Sequence, residues 1–322
     1  MPAHKTPLAA MALIPVAVAV VLTLFAWPNA RIAPRHLPIG VAGSGAATAA
    51  ERLSTQSGAF DIHRYSDEAT ARNAIENREV YGAFVLEPSG PTVLTASAAS
   101  PAVAQLLNHA AASLSGSEAT APVNDVVAAP RGAALASSVL PMVIAGMLTG
   151  SLAAMIASRR SRKAALVLAG SVLAGLTATA IVHSWLDIVG GNWLANAGAV
   201  SFTVLAIAAT VAGLHHLFGG KGIALAALVM VFIGNPFSAV GTAPELMPDP
   251  VGRLGQLLPP GAGGNLLRST GFFDGAASGT YLIVLTAWTV AGLSLLILPR
   301  RVPPAVADAK NTTARVLHPT TT

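Results

Sequence analysis

The chain has 322 residues, of which 53% are hydrophobic and only 10% are charged, and its formal net charge is +5. Soluble domains usually carry about 25% charged residues, so this composition excludes an ordinary water-exposed surface and favours a polytopic membrane protein. The absence of cysteine excludes disulfides and thiolate metal sites. The positive charge does not predict nucleic-acid binding, because its densest cluster lies between two apolar runs, at Arg159, Arg160, Arg162 and Lys163.

Six apolar runs predict transmembrane helices, since about 20 residues cross a hydrocarbon core of about 30 Å. The runs are Leu8–Trp27, Leu135–Ala157, Ala164–Val182, Leu194–Phe218, Gly222–Gly234 and Thr280–Leu298. The first run is longer than the roughly 7–15 apolar residues of a signal peptide, so an uncleaved anchor is favoured over a cleaved leader. We therefore expect a membrane all-α bundle of six transmembrane helices.

The distribution of basic and aromatic residues predicts the orientation of these helices. Basic residues mark the predicted cytoplasmic side at Lys5, Arg159–Lys163, Lys221 and Arg300–Arg301. Indole side chains mark the opposite boundary at Trp27, Trp185 and Trp193. The sequence thus predicts a multi-pass protein of the cell (plasma or inner) membrane with both termini in the cytoplasm.

The segment after the first run has the composition of an inserted extracytoplasmic α/β domain. Strands are predicted at Leu37–Ala42, Phe60–Tyr65, Tyr81–Leu86 and Thr92–Thr95, and helices at Ala46–Gln56, from a Ser66 cap to Glu76, and at Ala102–Ala112. A Ser/Ala/Gly-rich linker is predicted at Ser113–Ala121. The resulting parts are an anchor helix (1–27), the extracytoplasmic domain with its linker (28–134), a five-helix transmembrane domain (135–298) and a cytoplasmic tail (299–322).

Two glycine-rich stretches invite a nucleotide-binding interpretation that their neighbours oppose. Gly43-Ser44-Gly45 continues with Thr48 instead of a third glycine or alanine, so a tight strand-to-helix turn is favoured. The residue after Lys221 is glycine instead of serine or threonine, so Gly219–Gly222 predicts a hairpin turn and not a phosphate loop. We expect no cofactor on this chain.

Histidines offer no strong catalytic or metal site. His215 and His216 point about 100° apart on a helix and would chelate a metal poorly. His183 and Asp187 share a helix face, which leaves open either a proton relay or an interfacial hydrogen bond. Asn311 begins a glycosylation motif on the predicted cytoplasmic tail, where it would not be modified.

The cores of the six runs contain no Asp, Glu, Lys or Arg. Ion-coupled carriers commonly need an ionisable group at membrane depth, so this absence argues against a proton antiporter and favours a source of energy on another subunit. Sodium coupling through neutral oxygens is the alternative that stays open. Gly146 and Gly150, followed by Ala154, form a small-residue stripe that predicts close helix packing, within the chain or in a dimer.

The loop before the last run, 235–279, is long and broken by prolines. The fifth run supplies only 13 residues before Asn235-Pro236, about 20 Å of helix, so the helix either continues kinked through Pro236 or becomes irregular at membrane depth. Leu266–Phe273 is predicted to lie as an interfacial helix with Arg268 reaching headgroups or solvent. The loop is then either an ordinary outer loop or a re-entrant element that closes a translocation path.

Several short motifs carry a family resemblance. They are Asn235-Pro236-Phe237-Ser238, Pro244-Glu245-Leu246-Met247-Pro248, Leu258-Pro259-Pro260-Gly261, Leu267-Arg268-Ser269, LPIGVAG and DEATARNAIENREVYGAFVLEP. Together with one helix, an outer domain and five further helices, they resemble the type-2 ABC exporter permeases, in the branch of the phage infection protein.

This resemblance implies a permease subunit that moves a hydrophobic or amphipathic substrate and contacts membrane lipid. It implies a homodimer or a heterodimer with a homologous permease, and a separate ATP-hydrolysing subunit that carries the ATP. The candidate outer gate or re-entrant loop comprises Asn235, Pro236, Pro259, Gly261 and Arg268, and the candidate ATPase-facing loop comprises Arg159, Arg160, Arg162 and Lys163. The alternatives are a non-transporting protein whose outer domain binds a ligand, phage or envelope partner, and a membrane enzyme.

Overall fold

The computed structural model describes residues 6–54, 58–88, 90–114 and 121–299. Most of the predicted linker and the predicted tail from residue 300 onwards, including the Asn311 motif, lie outside the described residues, as does Lys5.

A five-stranded mixed sheet forms within residues 37–125, in the order β2-β1-β3-β4-β5. The strands are β1 (Leu37–Ala42), β2 (Phe60–Tyr65), β3 (Gly82–Glu87), β4 (Gly90–Thr95) and β5 (Val123–Asp125). The helices between them are α2 (Ala46–Ser54), α3 (Glu68–Glu76) and α4 (Pro101–Leu114). All four predicted strands are found: β1 and β2 have the predicted ends, β3 is shifted by one residue, and β4 begins two residues earlier than predicted. We call this part of the chain the sheet domain.

The sheet domain has a hydrophobic core on each face of its sheet. One core contains Leu37, Ile39 and Phe84 under helices α2 and α4. The other contains Ile75 of α3 and Val85 of β3. The inner strand β1 is almost wholly buried because it pairs in parallel with β2 on one side and β3 on the other.

The cap of helix α3 is Asp67, and the prediction of Ser66 as the cap is wrong. The Asp67 carboxylate accepts a hydrogen bond from the Thr70 amide at 2.8 Å, and the Thr70 hydroxyl lies 3.3 Å from the Asp67 amide as its acceptor. This reciprocal capping box satisfies two backbone donors that the first turn would leave unpaired. The Ser66 hydroxyl instead donates to the Asp67 carboxylate at 2.9 Å.

We expect the Asp67 cap to make the stability of helix α3 depend on pH. The hydrogen bond from the Thr70 backbone, followed by those from Ser66 and Thr70 side chains, lowers the pKa of Asp67 below its ordinary value of 3.8. The stabilisation is therefore fully present above pH 3.8 and is lost as the pH falls through the lower folded-state pKa. Hydrogen exchange of the α3 amides should be faster in Asp67→Ala at neutral pH. In Asp67→Asn, which keeps a capping oxygen, exchange at neutral pH should stay near wild type and the acid-dependent change should disappear. Equal exchange in all three proteins would contradict the cap.

Five helices among the described residues are long and apolar enough to cross a membrane, which indicates a membrane-embedded protein. The spans are Leu13–Ala30, Leu135–Ile156, Arg160–Trp185, Trp193–Phe218 and Gly220–Phe237. They belong to α1 (Thr6–Ala30), α5 (Leu135–Ile156), α6 (Arg160–Thr179, continued by a π-helical turn), α7 (Trp193–Phe218) and α8 (Gly220–Ala227) with its extension. The sixth predicted run forms the shorter helix α12 (Gly279–Leu295), of 17 residues, so six spans are not confirmed.

Helix α7 is the centre of the bundle, packed between α5, α6 and α12. A Cβ added to Gly146 or Gly150 of α5 would lie 2.6 Å from Ile207 Cβ or 2.5 Å from the Ala208 carbonyl oxygen. Hydrogen in place of a side chain thus lets α5 approach the α7 backbone closely. The predicted small-residue stripe packs within the chain, and this face of α5 is not available to a dimer.

The fifth apolar run is helical through Pro236, which is the first of its two predicted alternatives. Helix α8 continues as a π-helix at Leu228–Gly234 and ends as α9 (Asn235–Phe237). The Asn235 amide donates to the Met230 carbonyl five residues earlier, so the wider turn keeps this backbone group paired. The complete helix has 18 residues, about 27 Å at 1.5 Å per residue.

Candidate functional site

The broken segment, residues 235–279, connects the helix bundle to both faces of the sheet domain. It contains a short 3₁₀ turn at Pro244–Leu246, helix α10 (Val251–Gln256) and helix α11 (Pro259–Phe272). Leu246 belongs to one core of the sheet domain and Phe273 to the other. The broken segment therefore holds the sheet from two sides.

Helices α10 and α11 form a hairpin whose second arm, α11, is buried inside the bundle. A Cβ on Gly263 of α11 would lie 2.8 Å from Cβ of Thr203, a residue of α7. Thr203 lies ten residues after the first residue of α7, about 15 Å along the helix axis. The carbonyl at the hairpin tip, on Leu257, accepts a hydrogen bond from the Trp288 indole at 2.8 Å, well inside α12. The hairpin thus returns into the bundle instead of lying across its surface.

Four of the five predicted gate residues lie around the tip of this hairpin. Pro236 and Pro259 are both buried, and the Asn235 carbonyl accepts a hydrogen bond from the Ser238 hydroxyl at 2.8 Å. A Cβ on Gly261 would collide with the Gly255 carbonyl oxygen, so the two arms of the hairpin touch through their backbones. A Cβ on Gly234 would lie 2.8 Å from the Pro260 ring, which joins the hairpin to the kinked end of the α8–α9 helix.

Arg268, the fifth predicted gate residue, lies further along α11 and is 2% exposed. Its guanidinium donates to the Asn265 side-chain oxygen at 2.7 Å and to the Val240 carbonyl, while its buried Nε has no partner among the described residues. The prediction of an interfacial helix with Arg268 reaching headgroups or solvent is wrong, because glycines at 261, 263, 264 and 271 let α11 pack against the helices around it. A small-residue helix buries its backbone where a bulkier one could not.

A second arginine reaches this point from the sheet domain. Arg78, directly after α3, donates to the Asn265 side-chain oxygen at 3.3 Å and to the Ser269 hydroxyl. Its guanidinium lies 5.3 Å from the ring centre of Phe273 and 5.7 Å from that of Tyr281, within the range of cation–π attraction. We call Arg78, Arg268, Asn265 and Ser269 the arginine junction.

Tyr81 and Glu245 form a second polar contact between the sheet domain and the broken segment. The Tyr81 hydroxyl donates to the Glu245 carboxylate at 2.9 Å. Burial raises the pKa of Tyr81 well above its ordinary value of 10.0, and the adjacent Glu245 charge raises it further. The tyrosine is therefore a neutral donor at all physiological pH values, and within the described ranges no cation forms an ion pair with the Glu245 carboxylate.

A buried side-chain amide joins α11, the second arm of the hairpin, to the start of α7. Asn196, fully buried, donates to the Gly190 carbonyl at 2.7 Å, lies 3.0 Å from Nδ1 of His183, and accepts from the Thr270 hydroxyl at 2.7 Å. Asp187 pairs with Arg131 instead of His183. Of the two predicted alternatives for His183 and Asp187, the structure supports separate hydrogen bonds and not a relay.

The predicted ATPase-facing loop lies at the end of the bundle opposite the sheet domain. Arg159 ends the connection of only three residues between α5 and α6, and the other three residues lie in the first turn of α6. Arg159, Arg160 and Arg162 are exposed and Lys163 is half-buried. The Arg160 guanidinium donates to the Ile297 carbonyl at 2.8 Å, which joins this loop to the end of α12. At the same end, His216 lies 3.2 Å from the Leu298 carbonyl.

Sequence reasoning did not identify Arg78, Tyr81, Asn265 or Asn196 as parts of a site. Arg78 and Asn265 are 187 residues apart, and no local pattern connects them. No group of three or more His, Asp or Glu residues among the described ones could hold a metal ion. No protein-family model, curated protein or solved structure matches the chain.

Proposed function

We propose that the chain is the permease subunit of an ABC-type exporter, without an ATPase of its own, that moves a hydrophobic or amphipathic substrate across the cell membrane. In this proposal the chain crosses the membrane six times, α12 included, with both termini in the cytoplasm and the sheet domain outside. The resemblance to type-2 ABC exporter permeases supports the same arrangement.

The buried hairpin is the observation that carries this proposal. Turns and broken helices persist at membrane depth only where protein surrounds them or where they line a wet cavity. The hairpin of α10 and α11 enters from the sheet side, and Gly263 near the start of α11 packs against Thr203. The hairpin is thus placed to obstruct a path along α7. In an exporter the hairpin would close the outer end of that path and move when the sheet domain moves.

The distribution of ionisable groups supports an external source of energy. The five candidate spans contain no Asp or Glu, and their Lys and Arg residues lie at one end, at Arg160, Arg162, Lys163 and Lys221. No carboxylate is therefore placed at depth in these spans to bind and release a coupling proton. A separate ATP-hydrolysing subunit would supply the work, and a second permease, identical or homologous, would complete the path.

A specific observation favours a second candidate function. The α5–α6 connection and the single-glycine turn between α7 and α8, at Gly219, leave little protein surface for an ATPase to contact. A non-transporting membrane protein, whose sheet domain binds a ligand, a phage or an envelope partner, needs no such surface.

Co-purification of the full chain with an ATPase tests the proposal. We expect an ATP-hydrolysing protein to bind, its rate to change with the chain present, and Arg159→Glu/Arg162→Glu to abolish binding through charge repulsion. The matched control Arg64→Glu changes an exposed arginine of the sheet domain and should leave the complex intact. Failure to recover an ATPase, with the same phenotype after neighbouring ATPases are deleted, would favour the second candidate.

A further inference from the structure

The arginine junction contains two cations, and no carboxylate in the described part of the chain is bonded to either of them. Arg78 and Arg268 both donate to the Asn265 side-chain oxygen, at 3.3 and 2.7 Å. Because the two hydrogen bonds share this acceptor, the two guanidinium groups lie close together. Among the described residues, neither arginine forms an ion pair with a carboxylate. The Glu245 carboxylate of the broken segment accepts from Tyr81.

Uncompensated burial of this kind is costly. A buried cation loses solvation free energy that only a paired anion offsets, and a second cation beside it adds repulsion. The acceptors that hold these guanidinium groups are all neutral: an amide oxygen, a hydroxyl and backbone carbonyls. These acceptors pair the guanidinium donors but do not neutralise their charge. A net positive charge therefore remains where the sheet domain meets the hairpin.

From these observations we infer that the arginine junction binds an oxyanion, a phosphate or carboxylate group carried by an amphipathic molecule. Guanidinium groups bind such anions through paired N–H donors, and the unpartnered Nε of Arg268 is one such donor already inside protein. The surroundings suit an amphiphile, because Arg268 lies on α11 between the polar sheet domain and apolar helices α5, α7 and α12.

Access to Arg268 requires the sheet domain to move away from the hairpin. Arg78 supplies all the arginine-junction contacts made from the sheet domain, through one side chain, so they break together when this domain shifts. An anion arriving at that moment would replace Asn265 as the group shared by both cations. Binding would thus favour a rearranged contact between the sheet domain and the hairpin.

Anion binding at the arginine junction does not depend on export. Selection of an exported substrate by this junction rests on the function proposed above. A phosphate group can come from a lipid headgroup or from solution. Two probes separate these sources: phosphatidic acid in phosphatidylcholine nanodiscs that hold the full chain, and inorganic phosphate added to nanodiscs of phosphatidylcholine alone. The readout is the thermal unfolding temperature of the full chain at increasing probe concentration, which rises when a ligand binds the native state.

We expect a saturable rise with phosphatidic acid that exceeds any rise with inorganic phosphate. Arg268→Gln and Arg78→Gln should weaken the apparent affinity about tenfold or more, since each removes charge-assisted hydrogen bonds to the anion. Arg253→Gln is the matched control, because Arg253 is an exposed arginine of the adjacent helix α10, and it should bind as the wild type does. If Arg268→Gln does not fold, Arg78→Lys, which keeps the charge but removes the paired donors, supplies the test.

Two results would overturn the inference: no saturable shift of the wild-type chain with either probe, or equal loss of binding in Arg253→Gln. A larger response to inorganic phosphate would contradict the inference that the ligand is amphipathic, but it would support an oxyanion site. No ATPase takes part in this measurement. Anion binding together with failure of the ATPase test would therefore support the site and favour the second candidate function. Recovery of an ATPase without anion binding would support export and contradict the site.

Discussion

Gly255→Ala is expected to prevent the hairpin from packing and to lower the unfolding temperature of the chain. Gly255 lies on α10, where an added Cβ would overlap the backbone carbonyl oxygen of Phe237. That oxygen belongs to the backbone at the end of the α8–α9 helix and cannot rotate away. Helix α10 must move away from the end of the α8–α9 helix, with a cost at or above the roughly 1–3 kcal/mol usual for overpacking.

Gly279→Ala is the matched control for this experiment. Gly279 begins α12 at the end of the same broken segment, and an added Cβ there meets nothing within 4 Å. Both substitutions remove the same backbone freedom from the unfolded chain, so the difference between them reports the clash. The measurement is the unfolding temperature and monodisperse yield in detergent. Equal stability of the two variants would contradict the packed hairpin.

Leu246→Ala is expected to release one face of the sheet domain from the broken segment. The Leu246 side chain is 1% exposed in the core that contains Leu37 and Phe84. Its truncation leaves a cavity, for which a cost of about 2–5 kcal/mol is typical. The hydrogen bonds that Ala33 and Arg35 donate to the Leu246 carbonyl involve the backbone and remain possible in the variant.

Hydrogen exchange measures this release directly. The amides of β1 and β4 should exchange roughly 30-fold faster or more, as a loss of about 2 kcal/mol implies. Leu254→Ala is the control, because Leu254 belongs to the same broken segment and is 48% exposed. Exchange in Leu246→Ala that matches exchange in Leu254→Ala would show that Leu246 does not hold the sheet.

The elements with strong local signals could be predicted from the sequence. The apolar runs of β1 and α7 are bounded by polar or turn residues, so their ends agree with the structure within a residue or two. Strand β5 is absent from the prediction because it has three residues, all exposed, and its position beside β4 depends on pairing. No period can be read from so short a strand.

The broken segment could not be predicted in the same way, because its position depends on contacts distant in sequence. Glycine and proline weaken every local signal for α11, so the sequence predicts a surface position. What buries the helix is the absence of side chains at Gly263 and Gly264, which fit against Thr203 and Val240. The prediction for Arg268 fails for the same reason, since nothing near it in the sequence indicates Arg78 as its neighbour.

The return of the hairpin into the bundle is the claim on which the rest depends, and a disulfide between α11 and α7 tests it most directly. The chain has no cysteine, so Thr203→Cys/Gly263→Cys introduces a single pair, at a Cβ–Cβ separation of 2.8 Å that needs only a small adjustment to reach disulfide geometry. We predict rapid oxidative cross-linking of this pair and none of Thr203→Cys/Gly279→Cys. A pair that stays reduced, with the cysteine at position 263 labelled by a membrane-impermeant thiol reagent, would place α11 at the surface and contradict the account.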